Sequence, residues 1–330
     1  MARCILGEER VHDRLIERGI KLRHLQDGYS GNGEILESCD GGESRQTLIF
    51  MADGKWMHGG LTDRLRGMAS AYKFATEHNL DFKIFHTSPF LLQEILQPNK
   101  VDWIIDEHEI SNNCEIAKPV LLYREDFNND SALERQLDSR HKQFHLYSCV
   151  DTVGEEFPKY FNELFKPSPL LENELAHYSA LLGESYTAIS FRFQNKLGDF
   201  KEFTFKELSE KGKRKLLSAA LNMLNTAPGT ASGETASKYE AILVTADSPT
   251  FLAEAEKLPN VVTIKGKSIH IDFNSSKNAT DYLKAFTEFF LISKASKANL
   301  YRNRKYKTYP SNFPKYAAML GHVPYEIAEE

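Results

Sequence analysis

TLIFMADGKWMHGGLTDRLRGMASAY, Thr47 to Tyr72, places a short apolar run, a polar loop ending in two adjacent glycines and a strongly patterned helix in succession. Leu61, Leu65, Met68, Tyr72 and Ala75 recur at the spacing of one helical face, with Asp63 and Arg66 pointing away and Arg64 at the edge. Gly59 and Gly60 allow backbone conformations that a side chain forbids, and they let a ligand or another segment come close to the helix entrance. A plain tight strand-to-helix connection explains the same residues.

Outward from this unit the alternation repeats. FKIFH (82–86) precedes a helical pattern in PFLLQEIL, and VDWII (101–105), PVLLY (119–123) and QFHLYS (143–148) read as further strands. A proline-bearing helical stretch from Phe157 to Gly183 leads to a second set. That set has strands YTAISFRF (186–193), YEAILVTA (239–246) and VVTI (261–264), with helices near 205–225, in PTFLAEAEKL, in ATDYLKAFTEFFLIS and from about Phe313 to Leu320. Strands and helices taking turns predict βαβ units and largely parallel sheets. The expected fold is α/β, with two Rossmann-like halves facing each other across a cleft. Residues 46–160 form the N-terminal half and 161–330 the C-terminal half. Residues 1–45, an amphipathic piece (Val11 to Leu25) and a glycine-bearing linker, are expected to lie outside the catalytic fold, and the small, polar loop 225–238 to be exposed.

A length of 330 residues suits two such domains. With 41% hydrophobic and 26% charged residues the chain has a globular composition, and it contains no apolar run long enough to span a bilayer. The charged start lacks the pattern of a signal peptide, which points to the cytoplasm, with peripheral membrane association left open. Cys4, Cys39, Cys114 and Cys149 are too scattered for a zinc site or a disulfide framework. A net charge of -5 gives no general attraction to nucleic acid, so phosphate recognition has to be local.

In α/β folds ligands bind beyond the carboxyl ends of parallel strands. Arg192 stands at one such end, where its planar fork suits a diphosphate, or equally an acid across the sheet. Asp247 ends the next strand, and its two adjacent acceptors suit the two adjacent donors of guanine, although a turn aspartate looks the same. Ser248 and Pro249 read as a helix cap. Ser311 or Asn312 caps the last helix ahead of Phe313 and Pro314, and such an N-terminus attracts anions. Glu288, in the apolar helix 279–293, is either solvent-facing or must be paired, protonated or at a cleft edge. P-loop, GxSxG, HExxH and DxD motifs are absent, and the histidines show no ligand spacing, so no metal is expected.

Taken in order, four stretches resemble the fucosyltransferases of the α-1,6, nodulation-factor, α-1,2 and protein O-fucosyl group. GGLTDRLRG resembles that group's glycine-rich G-x-G-x-R-L motif, ISFRF its H-x-R-R strand and VTADSP its T-D-D-P. The region from Glu288 through LISKA to TYPSNFPKYAA resembles its D-x-x-x-L-S-x-A followed by a Ser-Ser-Gln helix start. The resemblance spans residues 47–321. It implies a GT-B fold, a nucleotide-sugar donor (GDP-fucose), a glycan acceptor and inversion at the sugar carbon without a metal, in a bacterial enzyme of polysaccharide biosynthesis. It implies that Arg192 contacts the β-phosphate, Asp247 (with Ser248) the guanine, and Ser311, Asn312 and Phe313 the phosphate-facing helix start. Glu288 corresponds to the acidic residue proposed to act in that group's active site. Gly59, Gly60, Arg64 and Arg66 would form the N-terminal wall of the cleft. Ser190 stands where the group has His, Phe193 where many members have a second Arg, and Glu288 replaces Asp. The alternatives are a transferase for another nucleotide sugar and a catalytically silent nucleotide- or glycan-binding protein.

Overall fold

A computed structural model of the chain describes residues 25–29, 45–122, 131–200, 207–226 and 240–330. The expected amphipathic piece before Leu25, the linker from 30 to 44 and nearly all of the loop 225–238 lie outside the described residues. In chain order the first elements are β1 (Thr47–Ala52), α1 (Leu61–Glu77), β2 (Asp81–His86), β3 (Leu96–Pro98), β4 (Ala117–Leu121), α2 (Ser131–Glu134), β5 (Gln143–Tyr147), α3 (Phe157–Leu164), β6 (Phe165–Pro167) and α4 (Pro169–Leu182). There follow β7 (Tyr186–Phe191), α5 (Glu210–Thr226), β8 (Ala241–Ala246), α6 (Pro249–Ala255), β9 (Val261–Thr263), α7 (Leu283–Ile292), β10 (Lys297–Arg302), α8 (Phe313–Leu320) and β11 (Tyr325–Glu329).

The residues gather into two units. The first comprises Met1–His58, Asp63–Ser88 and Val101–Gly154, and the second Gly59–Thr62, Pro89–Lys100 and Glu155–Glu330. A parallel sheet of order β2-β1-β5-β4 runs through the first. Its strands read as apolar runs because both faces of such a sheet are covered. Ile49, Met51, Phe85, Leu121 and Tyr147 pack in one cluster that also takes in Leu25, so part of the N-terminal stretch belongs to this core. Tyr29, next to it, hydrogen bonds His145 on β5 at 2.5 Å.

The second unit holds a parallel sheet of order β11-β10-β7-β8-β9. Phe191, Phe193, Phe251 and Tyr301 lie at its core, with the Phe191 and Phe251 rings 4.5 Å apart. A small antiparallel pair, β3 with β6, belongs to the same unit.

Two local expectations are corrected, and two strands are added. PFLLQEIL is not a helix but one 3-10 turn, Leu92–Glu94, followed by β3. Ser168 explains this: its N–H donates to the Ile95 carbonyl and its hydroxyl to that of Glu94, so those acceptors are lost to a helix. VDWII is reduced to a single bridge, Ile84 to Ile104, because Asp102 turns back to accept from the Ile104 N–H. β10 and β11 were unexpected, yet β10 lies between β7 and β11, with Ala298, Leu300 and Tyr301 buried and Lys297, Asn299 and Arg302 half-buried.

α8 ends at Gly321, where a Cβ would lie 1.6 Å from the Ser293 carbonyl oxygen at the end of α7. Only a residue without a side chain permits this approach. Gly321→Ala is expected to force the two helix ends apart and to cost about 1–3 kcal/mol or more. Thermal unfolding measures it.

Candidate functional site

The site is set by strand register. Phe191 and Ala246 are partners in the β7–β8 pairing, so Arg192 and Asp247, each one residue further on, face each other beyond the carboxyl edge. Arg192 Nη1 donates to Asp247 Oδ2 at 2.8 Å. The amides of Phe193 and Gln194 donate to Oδ1 and Oδ2 at 2.9 and 2.7 Å. Three donors thus converge on one buried carboxylate. Gln194 takes a left-handed φ of 57°, a conformation a non-glycine residue holds only where its surroundings fix it. The Arg192 guanidinium also lies over the Phe200 ring, 4.8 Å from its centroid. Burial pushes the Asp247 carboxyl above the ordinary range, against the opposing pull of Arg192 and the two amides.

Ser248 follows as the cap of α6. Its hydroxyl accepts from the Phe251 N–H at 3.1 Å and donates to Asp199 Oδ2 at 2.7 Å, and the residue is fully buried. Its capping task accounts for both bonds, and no part of it is exposed to a ligand.

The α8 start is tied to the same edge by main-chain bonds. Tyr309 N–H donates to the Arg192 carbonyl at 3.3 Å, and Ser311 N–H to the Tyr309 carbonyl at 2.9 Å. Ser311, not Asn312, supplies the side-chain cap, accepting from the Phe313 N–H at 3.2 Å. Asn312 occupies the cap position with its side chain exposed, and Pro314 sits in the first turn. The segment that leads into α8 is therefore tied to the main chain of Arg192.

Glu288 is not solvent-facing. It is buried and ion-paired with Lys284 one turn earlier on α7, itself buried. Burial raises the Glu288 carboxyl, Lys284 opposes this, and the charge of Asp247 adds a last, smaller push upward. Gly266, at φ 126°, backs onto the Lys284 side chain, where a Cβ would approach to 3.2 Å.

Of the glycine pair, Gly59 has positive φ, 84°, and its N–H donates to Asp272 Oδ2 at 2.5 Å; Gly60 does not share that conformation. Arg64 is buried in the first unit, with Nη1 at 3.1 Å from His86 Nε2 and 3.2 Å from the Ser88 carbonyl, so it ties α1 to the end of β2. Arg66 pairs with Asp63 at 2.5 Å.

Sequence reasoning missed Lys284, Gln194 and Asp199, and in the first unit a chain of Tyr29, His145, Tyr147 and Asp53. Tyr147 donates to Asp53 at 3.0 Å, and burial with Lys55 nearby pushes His145 down to about 3 against the pull of Asp53. The i, i+4 spacing of Lys284 and Glu288 was the one available signal. Among the described residues, one group of metal-ligating side chains gathers, Asp106, His108 and Glu109. All three are exposed on a 3-10 turn, where Asp106 and Glu109 serve as reciprocal caps.

No family model and no curated protein matches the chain. Solved structures do. The chain is similar to NodZ α-1,6-fucosyltransferase soaked with GDP-fucose, with 13% identity and a TM-score of 0.53 over 85% of this chain and 93% of that one. It is similar to a FUT1 variant of Arabidopsis thaliana in complex with GDP, at 11% identity and TM-score 0.54, over 94% of this chain and 74% of that one. NodZ from Bradyrhizobium aligns at 13% identity and TM-score 0.52, over 86% and 94% of the two chains. The chain therefore has the α/β fold of these glycosyltransferase structures, as its motifs led us to expect. Among the described residues no helix is long and apolar enough to cross a membrane.

Lys284→Met would leave Glu288 buried without its cation and is expected to cost about 3–5 kcal/mol near neutral pH. A carboxyl whose folded pKa is raised binds its proton more tightly when folded, so stability falls as pH rises through that interval. The loss measured by urea unfolding should accordingly be smaller at about pH 5 than at about pH 8.

Proposed function

We propose that the chain is a glycosyltransferase that moves fucose from GDP-fucose to a glycan acceptor, inverting the sugar carbon and needing no metal. One observation carries this reading: Arg192 and the segment that leads into α8 are tied together beyond the carboxyl edge of the second unit's sheet, in a chain with the fold of structures solved with GDP and GDP-fucose. Negative charge builds on the β-phosphate oxygens as the sugar–phosphate bond breaks toward an oxocarbenium-like state. A fixed guanidinium and a helix N-terminus stabilise that charge without reorganising, and this is the largest contribution the site offers. Ser311 shapes the helix start, with Asn312 and Phe313 flanking it. Glu288, neutralised by Lys284, supports α7 in this reading and does not act on the acceptor.

Asp247 gives a second reading some force. Its carboxylate is engaged by Arg192 and two amides, so the strongest reason for guanine over another base is weakened, and a different nucleotide sugar becomes the rival donor. Incubating the protein with GDP-fucose and with other nucleotide sugars, alone and with candidate glycans, and measuring nucleoside diphosphate release separates the two. Release from GDP-fucose stimulated by a glycan is expected. Release from none of the donors would refute both readings.

Arg192→Ala should lower kcat by a factor on the order of 10² to 10³, with a smaller effect on GDP affinity. Arg192→Lys, which keeps the charge and loses the fork, should remain strongly impaired. A destabilised but fully active Arg192→Ala would show that the arginine serves only the sheet. Turnover should also survive EDTA, and its loss with recovery on adding a divalent ion would contradict metal independence.

A further inference from the structure

We infer that Asp247 is the positioning residue for Arg192 and does not read the nucleotide base; this rests on Arg192 belonging to the donor site. Asp247 is 7% exposed, and both of its carboxylate oxygens accept hydrogen bonds from within the protein. A carboxylate offers about four acceptor sites and three are taken, so accepting two donors from a base edge would mean releasing Arg192, Phe193 or Gln194, and an orphaned donor at so buried a position is costly.

The donors come from three successive residues, Arg192, Phe193 and Gln194, so one carboxylate fixes the whole turn leaving β7. It holds the left-handed Gln194, which would otherwise relax. Asp247 at one side and the Phe200 ring at the other fix the plane of the guanidinium. A fork held in this way loses little freedom on meeting an anion, which is what a preorganised phosphate contact requires. Further on, Asp199 caps α6 through Ser248 Oγ and the Thr250 N–H, so the loop bearing Asp247 is itself anchored.

The test is calorimetric titration of GDP, UDP and inorganic pyrophosphate into wild type, Asp247→Asn, Arg192→Ala and the double variant. Loss of one charge-assisted anchor should weaken all three ligands by a common factor of about ten to a hundred, including pyrophosphate, which has no base. Adding Asp247→Asn to Arg192→Ala should change nothing further. Asp247→Asn weakening GDP alone, or additive losses in the double variant, would overturn the inference. If wild type binds none of the three, the donor-site reading fails. The clamp is then decided by urea unfolding of the same four proteins, where non-additive midpoints support it and additive ones overturn it. Should Asp247→Asn not fold, amide hydrogen exchange of the wild type decides. Phe193 and Gln194 should stay equally protected with and without GDP, and faster exchange with GDP bound would show the carboxylate leaving them.

Discussion

The parallel register of β7 against β8 is the constraint on which the second unit's chemistry depends. Phe191 opposite Ala246 brings Arg192 against Asp247, and one step earlier Ser190 against Thr245, whose hydroxyls bond at 2.8 Å within the buried sheet. A slip of one residue would turn each of these side chains to the other face and bury a guanidinium among Phe191, Phe193 and Phe251. The apolar core and the polar edge therefore specify the same register. The hydroxyl pair also gives Ser190 a local partner where the resembling family has a histidine.

Two ion pairs in this unit lie wholly or partly out of water, Arg192 with Asp247 and Lys284 with Glu288. Taking two ions out of water costs several kcal/mol each, and their attraction recovers this only where geometry is good and the remaining lone pairs are met. Asp247 satisfies that condition through two amides. Such pairs add little to net stability. They fix which conformation is the stable one.

Much of this was legible in the sequence. The parallel α/β plan followed from apolar runs alternating with helical patterns, and the α8 bounds followed from Asn312, Pro314 and Gly321. What failed had tertiary causes. β10 carries Lys297, Asn299 and Arg302, and β11 is half-solvated at an edge, so neither shows the apolar signature of a parallel strand. PFLLQEIL has helical residue types, but Ser168, 74 positions beyond Glu94, takes its carbonyls. At the site, residue types suggested ligands for Arg192, Asp247, Ser248 and Glu288 one by one. A cap at Ser248 and an acid across the sheet from Arg192 were already among the readings; that this acid is Asp247 emerged only from the fold, because pairing across a sheet leaves no trace in local spacing.

The second unit is discontinuous in the chain, and this bears on how it is made. Pro89–Lys100 is synthesised early, yet Phe90 stacks on Tyr282 at 4.4 Å and β3 pairs with β6. At roughly 5–20 residues per second the ribosome needs about ten to forty seconds to travel from Phe90 to Tyr282. Phe90 waits through that interval for Tyr282, whereas Ile95 and Leu96, also buried in the finished protein, meet Ser168 and β6 sooner. The first unit can close its sheet in the meantime, leaving an apolar loop of a dozen residues in wait. A fragment that begins at residue 155 would lack Phe90 against Tyr282 and β3 against β6, and so part of the second unit's packing.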